Sequence, residues 1–204
     1  MVLAHDWPND AEGQARPYGI YDFSRNRGYV RVGNSHDTPR FAVESITQWW
    51  RDKGRAAYPH AKRLLILADA GGSNAYRSRV WKQQLQKRLC DDFGLTVTVC
   101  HYPTGSSKWN PIEHRLFSFI SINWAGKPLR TFKSLIGYIA NTVTVTGLTV
   151  AGVFGFGQYK TGEEVSDAEW KSLNIQHHPV CPKWNYTLGP RSSARPASLP
   201  EKAS

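Results

Sequence analysis

The sequence predicts an α/β domain built on a mixed sheet with helices on both faces. Three observations predict it. Residues 17–33 carry a hairpin pattern. Two β-forming runs, Leu64–Ala68 and Leu95–Cys100, lie further along. Segments with helical periodicity follow or separate these runs, as alternating strands and helices require.

Taken in order, Tyr18–Asp22 and Gly28–Val32 are aromatic and β-branched, and Ser24–Arg27 supplies turn residues between them. Thr38-Pro39 reads as an N-cap with proline at the first helical position. Ala42, Ser45, Ile46, Trp49 and Trp50 then form one buried stripe of a helix running to about Lys53, with Gly54 as its stop. Leu64–Ala68 is continuously apolar, the pattern of a strand buried on both faces. It ends at Asp69, and residues 70–74 turn the chain. A second helix is expected from about Ala75 to Asp91. Trp81, Leu85 and Leu89 lie on its buried stripe, Arg77, Arg79, Lys82 and Arg88 lie mostly off it, and Gly94 ends it. Leu95–Cys100 alternates as a strand. Asn110 and Pro111 open a helix that runs to about Trp124. A further helix spans about Thr131 to Thr142, and the pattern fades beyond Gly147. The expected organisation is a lead-in over 1–16, a core over 17–147, an extension over 148–190 and a disordered tail over 191–204.

Composition narrows the function classes. The 204 residues are 40% hydrophobic, which suits one domain with a real core. The formal charge is +10, and residues 61–130 hold seven of those ten net charges. A basic excess gathered in one segment points to a polyanion, most often nucleic acid. No apolar run reaches membrane-span length, and Met1–Pro8 lacks the pattern of a signal peptide. Cys90, Cys100 and Cys181 have no Cys-x-x-Cys spacing, which indicates a reducing, cytosolic setting.

Two acids are candidates for chemistry. Asp69 ends a strand, and Glu113 lies in the first turn of the helix after the next strand. Adjacent parallel strands could gather these carboxylates into an oxygen-ligand site for Mg²⁺, of the kind that serves phosphodiester chemistry. The pattern has other readings. Asp69 ahead of Gly71-Gly72 is an ordinary turn residue, and Glu113 stands at capping-box spacing from Asn110. Trp109 reads either as a staple at the helix start or, with Lys108, as a DNA contact. The Cys and His residues fit no closed zinc site. Cys100 and His101 point to opposite faces of a strand, and Gly71-Gly72 lacks the P-loop ending.

Leu64-Leu-Ile-Leu-Ala-Asp-Ala-Gly-Gly-Ser-Asn74 and His101-Tyr-Pro-Thr-Gly-Ser-Ser-Lys-Trp-Asn-Pro-Ile-Glu-His-Arg-Leu-Phe117 carry a resemblance. So do Pro17–Asp22, His36-Asp-Thr38, Phe41–Ile46 with Trp49-Trp50, and Trp184–Leu188. Together, over about Ala4 to Leu188, the chain resembles the catalytic domain of insertion-sequence transposases of the ISAzo type. These are relatives of mariner-like transposases with an Asp-Asp-Glu site. The resemblance implies an RNase H-like fold, Mg²⁺ (or Mn²⁺) as cofactor, and cleavage and strand transfer of DNA. It makes Asp69 the second acid and Glu113 the third, and it puts Lys108, Trp109, Asn74, Arg77 and Arg115 at the DNA. The implied partners are insertion-element ends, target DNA and a second copy of the chain, in the nucleoid. The family's first Asp lies on a strand upstream of the region matching His5-Asp6, so that strand and that acid are expected to be missing here. The chain alone is then expected to be inactive, with Asp6 and Asp22 as weaker stand-ins. The alternatives are a non-catalytic DNA-binding remnant and another RNase H-like nuclease.

Overall fold

The computed structural model describes residues 14–192, apart from 128 and 130. The lead-in up to residue 13, including Asp6, and the tail from residue 193 lie outside the described residues.

The hairpin forms as its pattern predicts. β1 (Arg16–Asp22) pairs antiparallel with β2 (Arg27–Gly33), and Asn26 takes the left-handed conformation in the turn, φ 52°. The chain then enters α1 (Pro39–Trp49), where the Thr38 hydroxyl accepts from the Phe41 amide. This helix does not stop at Gly54. It passes through a π-helical turn, Trp50–Gly54, into α2 (Arg55–Ala57). Gly54 is there for packing: a Cβ on it would lie 2.4 Å from Trp50 Cε3.

β3 (Arg63–Ala68) leads through a 3-10 turn, Gly72–Asn74, to α3 (Arg79–Leu85) and its π-helical continuation Gln86–Asp91. α3 starts four residues later than its periodicity suggests, because the Ser78 hydroxyl caps it by accepting from the Trp81 amide. β4 (Thr96–His101) follows. A helix then opens at Pro111, with a π-helical stretch Glu113–Phe117 running into α4 (Ser118–Trp124), and α5 (Phe132–Ala140) comes next. The weakly patterned C-terminal part supplies β5 (Thr149–Gly155), α6 (Asp167–Lys171), β6 (Ile175–His177) and β7 (Asn185–Leu188).

One mixed sheet was the expectation, but the strands form two. The first has the order β1-β2-β5, with β5 parallel to β2, and the second has the order β3-β4-β7-β6, with β3 parallel to β4. Among the described residues no strand joins β1 to β3. A shared helical layer holds the two sheets together. Trp49, Trp50, Trp81, Leu85 and Leu89, from α1, α3 and their extensions, bury against Tyr29 of the first sheet and Val97, Val99, Tyr186 and Leu188 of the second. The other face of the first sheet is covered by Leu116, Ile120, Leu135 and Ile139, packed on Val30, Val32 and Val150.

That second cover stops short of β3. Leu64 and Ile66 pack on the shared core, but Leu65 is 60% exposed and Leu67 is 50% exposed. β3 is therefore buried on one face only, against the expectation from its apolar run. Lys82, expected off the buried stripe, is also inside. Its ammonium lies 5.0 Å from the Tyr186 ring centre and 5.6 Å from that of Trp170, and burial pushes its pKa down.

Candidate active site

A cavity of about 650 Å³ runs between β1 and β3. Asp22, Tyr58 and Arg63 stand at one end, and Asp69, Asn74, Asn110 and Glu113 at the other. The Tyr58 hydroxyl donates to Asp22 at the first end (2.8 Å), and the Tyr18 hydroxyl donates to Asn74 Oδ1 at the second (2.8 Å). Tyr58 precedes β3 and Asn74 follows it, so β1 and β3 run in opposite directions.

Asp69 stands one residue beyond β3. Its Oδ1 accepts from Asn110 Nδ2 at 2.9 Å, and Asn110 Oδ1 accepts from the Ile112 amide at 3.3 Å. One buried amide side chain thus caps a helix and fixes the carboxylate. Among the described residues the second oxygen of Asp69 has no hydrogen-bond partner.

The backbone of Asp69 is fixed as well. His101 sits opposite Ala68 in the β3–β4 register, and its Nδ1 is 2.9 Å from the Asp69 carbonyl oxygen. A carbonyl only accepts, so Nδ1 carries the proton. His101 Nε2 then accepts from the Tyr186 hydroxyl (3.3 Å), whose oxygen accepts from Trp81 Nε1 (2.8 Å). Burial above all, with the Lys82 charge adding to it, pushes the imidazole pKa below its usual value and keeps the ring neutral. Burial, reinforced by Asp37 and Asp69, raises the Tyr18 phenol, so it stays a donor.

Glu113 begins the π-helical stretch, its amide donating to the Asn110 carbonyl at 3.1 Å. The reciprocal arm of a capping box is not made. Among the described residues the Glu113 carboxylate has no hydrogen bond or ion pair, and it lines the same cavity as Asp69.

A family model described as a Rhodopirellula transposase DDE domain matches residues 1–190. The chain belongs to that family. No curated protein and no solved structure matches it. As a transposase domain it acts on DNA, and no helix among its described residues is long and apolar enough to cross a membrane.

The donor set of the transposase domain suits a hard divalent cation in kind: Asp69, fixed at one oxygen, and Glu113, with no partner among the described residues, line one cavity together with Asp37 and Asp22. In number it is short. Among the described residues no group of three His, Cys, Asp or Glu side chains comes together as a metal site. Asp22 lies at the far end of the cavity, held by Tyr58.

Of the residues expected at DNA, Asn74 lines the cavity and is held by Tyr18. The other four are exposed outside it. Lys108 Nζ stands 5.4 Å from the ring centre of Trp109, which is 69% exposed and so does not staple the helix. Arg77 lies over Tyr76 at 5.1 Å, and Arg115 lies over Phe23 at 5.3 Å, toward the hairpin turn. The roles of His101 and Tyr18, and the bond from Asn110 to Asp69, were not legible in the sequence. The only signal was the position of His101 directly after a β-forming run.

Proposed function

We propose that this domain is the catalytic core of a DDE transposase with an RNase H-like arrangement, cleaving insertion-element DNA and joining it to a target with Mg²⁺ or Mn²⁺. The observation that carries the reading is the convergence of Asp69 and Glu113 on one cavity, with Asn110 holding the first and no side chain among the described residues engaging the second. In this reading Asp69 and Glu113 are the second and third acids and would hold the ions. When bound, such ions activate an attacking oxygen and stabilise a leaving one. The chain's own part is to hold one Asp69 oxygen away from solvent exchange, to fix its backbone through His101, and to keep Glu113 free for the ion. Lys108, Trp109, Arg77 and Arg115 would meet phosphates and unstacked bases, with Asn74 at the cavity edge. Two carboxylates are too few for two ions, so cleavage needs a further anionic ligand beside Asp69 and Glu113.

Calorimetric titration with Mn²⁺ and Mg²⁺ tests the metal reading. Asp69→Asn and Glu113→Gln should each weaken binding by at least about tenfold, as loss of one anionic ligand does. Unchanged affinity in both variants would overturn it. Filter binding across a salt series tests the DNA reading: affinity should fall steeply with salt, and a flat response would mean that the basic residues do not face phosphate.

A further inference from the structure

The turn between β1 and β2 presents an aromatic ring to solvent on a fixed support. Phe23 follows directly on β1 and is 63% exposed. The Asp22 carboxylate beside it accepts from the Tyr58 hydroxyl and, at 3.2 Å, from the Arg25 amide. The Tyr21 hydroxyl donates to Asn26 Oδ1 at 2.9 Å, and Asn26 Nδ2 donates to the Thr146 carbonyl at 3.0 Å. Arg27 Nη1 donates to the Gly147 carbonyl at 2.7 Å. The turn is thus tied to the segment before β3 and to the turn before β5, so the backbone that carries the ring is set before any partner arrives. A lone exposed phenylalanine calls for no explanation, but this one stands among cations. Arg115 lies over the ring at 5.3 Å, Arg25 is exposed two residues on, and Arg63, exposed at the start of β3, lines the same end of the cavity. Among the described residues none of these three arginines is ion-paired.

We propose that this tip is a second DNA contact, apart from the carboxylates, at which an unpaired base stacks on Phe23 while Arg25 and Arg63 meet the phosphates that flank it. A ring offers its whole face only to a base that is out of a duplex stack or at its end, and such stacking is indifferent to which base arrives. The guanidinium of Arg115 on the ring adds a cation to the same stack. Three unneutralised guanidinium groups around an exposed ring suit a polyanion with planar bases. They disfavour an apolar protein surface, which would bury them unpaired. Tyr18 meets Asn74 at the Asp69 end, and Phe23 lies five residues further along the same strand direction. That is about 16 Å, or about five steps along a strand of DNA, so a strand of twelve nucleotides reaches both places. The contact itself stands on the tip. That the strand it holds is the one being cleaved rests on the transposase reading.

Fluorescence anisotropy of the full chain with two probes tests the contact: a twelve-nucleotide dT strand, and an abasic strand with the same number of phosphates. Phe23→Ala should weaken binding of the dT strand by at least about fivefold and leave binding of the abasic strand as it was. Phe23→Trp should keep the parent's affinity for dT, whereas Phe23→Leu, apolar but without a π-face, should show the loss. Arg63→Gln should weaken both strands alike and lower the slope of log affinity against log salt by about 0.7, a slope that Phe23→Ala does not change. Phe23 is exposed, so the thermal midpoint of Phe23→Ala should match the parent's. Unchanged dT affinity in Phe23→Ala, or an equal loss on both strands, overturns the proposal. A lower molar mass in light scattering of Phe23→Ala, with DNA affinity intact, would make the tip a self-association surface and overturn it equally. Mn²⁺ binding that depends on Asp69 and Glu113, beside a Phe23→Ala variant that binds dT like the parent, would remove the tip contact and leave the metal reading standing. The opposite pair of results would keep the tip contact and remove the metal reading.

Discussion

Asn110 joins the stability of a helix to the geometry of a carboxylate, and its removal should be felt in both. The side chain is 5% exposed and makes two bonds, one from Nδ2 to Asp69 Oδ1 and one at Oδ1 from the Ile112 amide. Loss of an N-cap costs about 1 kcal/mol. Loss of a hydrogen bond to a charged group costs about 1.5–3 kcal/mol, and the half-exposed Asp69 puts this one at the low end. Asn110→Ala should therefore destabilise the domain by about 2–3 kcal/mol in urea unfolding at neutral pH. Asn110→Ser keeps a capping oxygen but does not reach Asp69, and should recover about 1 kcal/mol of that loss. Asn110→Asp keeps the cap and sets a second carboxylate against Asp69. It should be destabilised without divalent cations and regain stability as Mg²⁺ is added, with a larger Mg²⁺ response than the parent chain. An Asn110→Ala loss below about 0.5 kcal/mol, or an Asn110→Asp variant indifferent to Mg²⁺, would refute the coupling.

Two further outcomes follow from the packing. His101 is neutral when folded because burial lowers its pKa, while in the unfolded chain it titrates near about 6.5. Below that pH the unfolded state takes up a proton that the folded state does not, so stability should fall on acidification from about pH 7 and level off below the folded pKa. His101→Gln should flatten this dependence in unfolding midpoints, and an unchanged slope would mean that another group carries it. Gly54→Ala improves helix propensity by about 1 kcal/mol but drives a methyl group to 2.4 Å from the buried Trp50 ring, an overpacking worth about 1–3 kcal/mol. The net change in unfolding free energy should be a loss of about 1 kcal/mol, and a gain would show that the indole can move aside.

The parts of the fold that sequence reading reached are those whose periodicity carries its own information. The hairpin, the stripe ending in Trp49 and Trp50, and the Trp81, Leu85 and Leu89 stripe each repeat at the period of the element they form. What stayed hidden depends on neighbours distant in sequence. Leu65 and Leu67 look like core residues, and only the placement of α4 and α5 over the other sheet leaves them uncovered. Lys82 reads as a surface charge until Tyr186 and Trp170, about ninety to a hundred residues on, close over it. β5 contains Gly152 and β7 has four residues, so neither shows a strong strand pattern, yet each completes a sheet. At the site, the strand end at Asp69 and the helix start before Glu113 were legible as punctuation. The bond between Asp69 and Asn110 spans 41 residues and belongs to no local pattern.

The two sheets rest on one helical base without a continuous β-ladder between them, and this sets how the gap is maintained. Its width is fixed at each end by a phenolic strut, Tyr18 to Asn74 and Tyr58 to Asp22. A ladder of several main-chain bonds would lock the sheets together as one plate. Two side-chain bonds of about 1–3 kcal/mol each do not, so the shared core on α1 and α3 carries the connection between the plates. The distance between the Asp69 end and the hairpin is then set by side-chain packing and by the two struts rather than by a main-chain ladder.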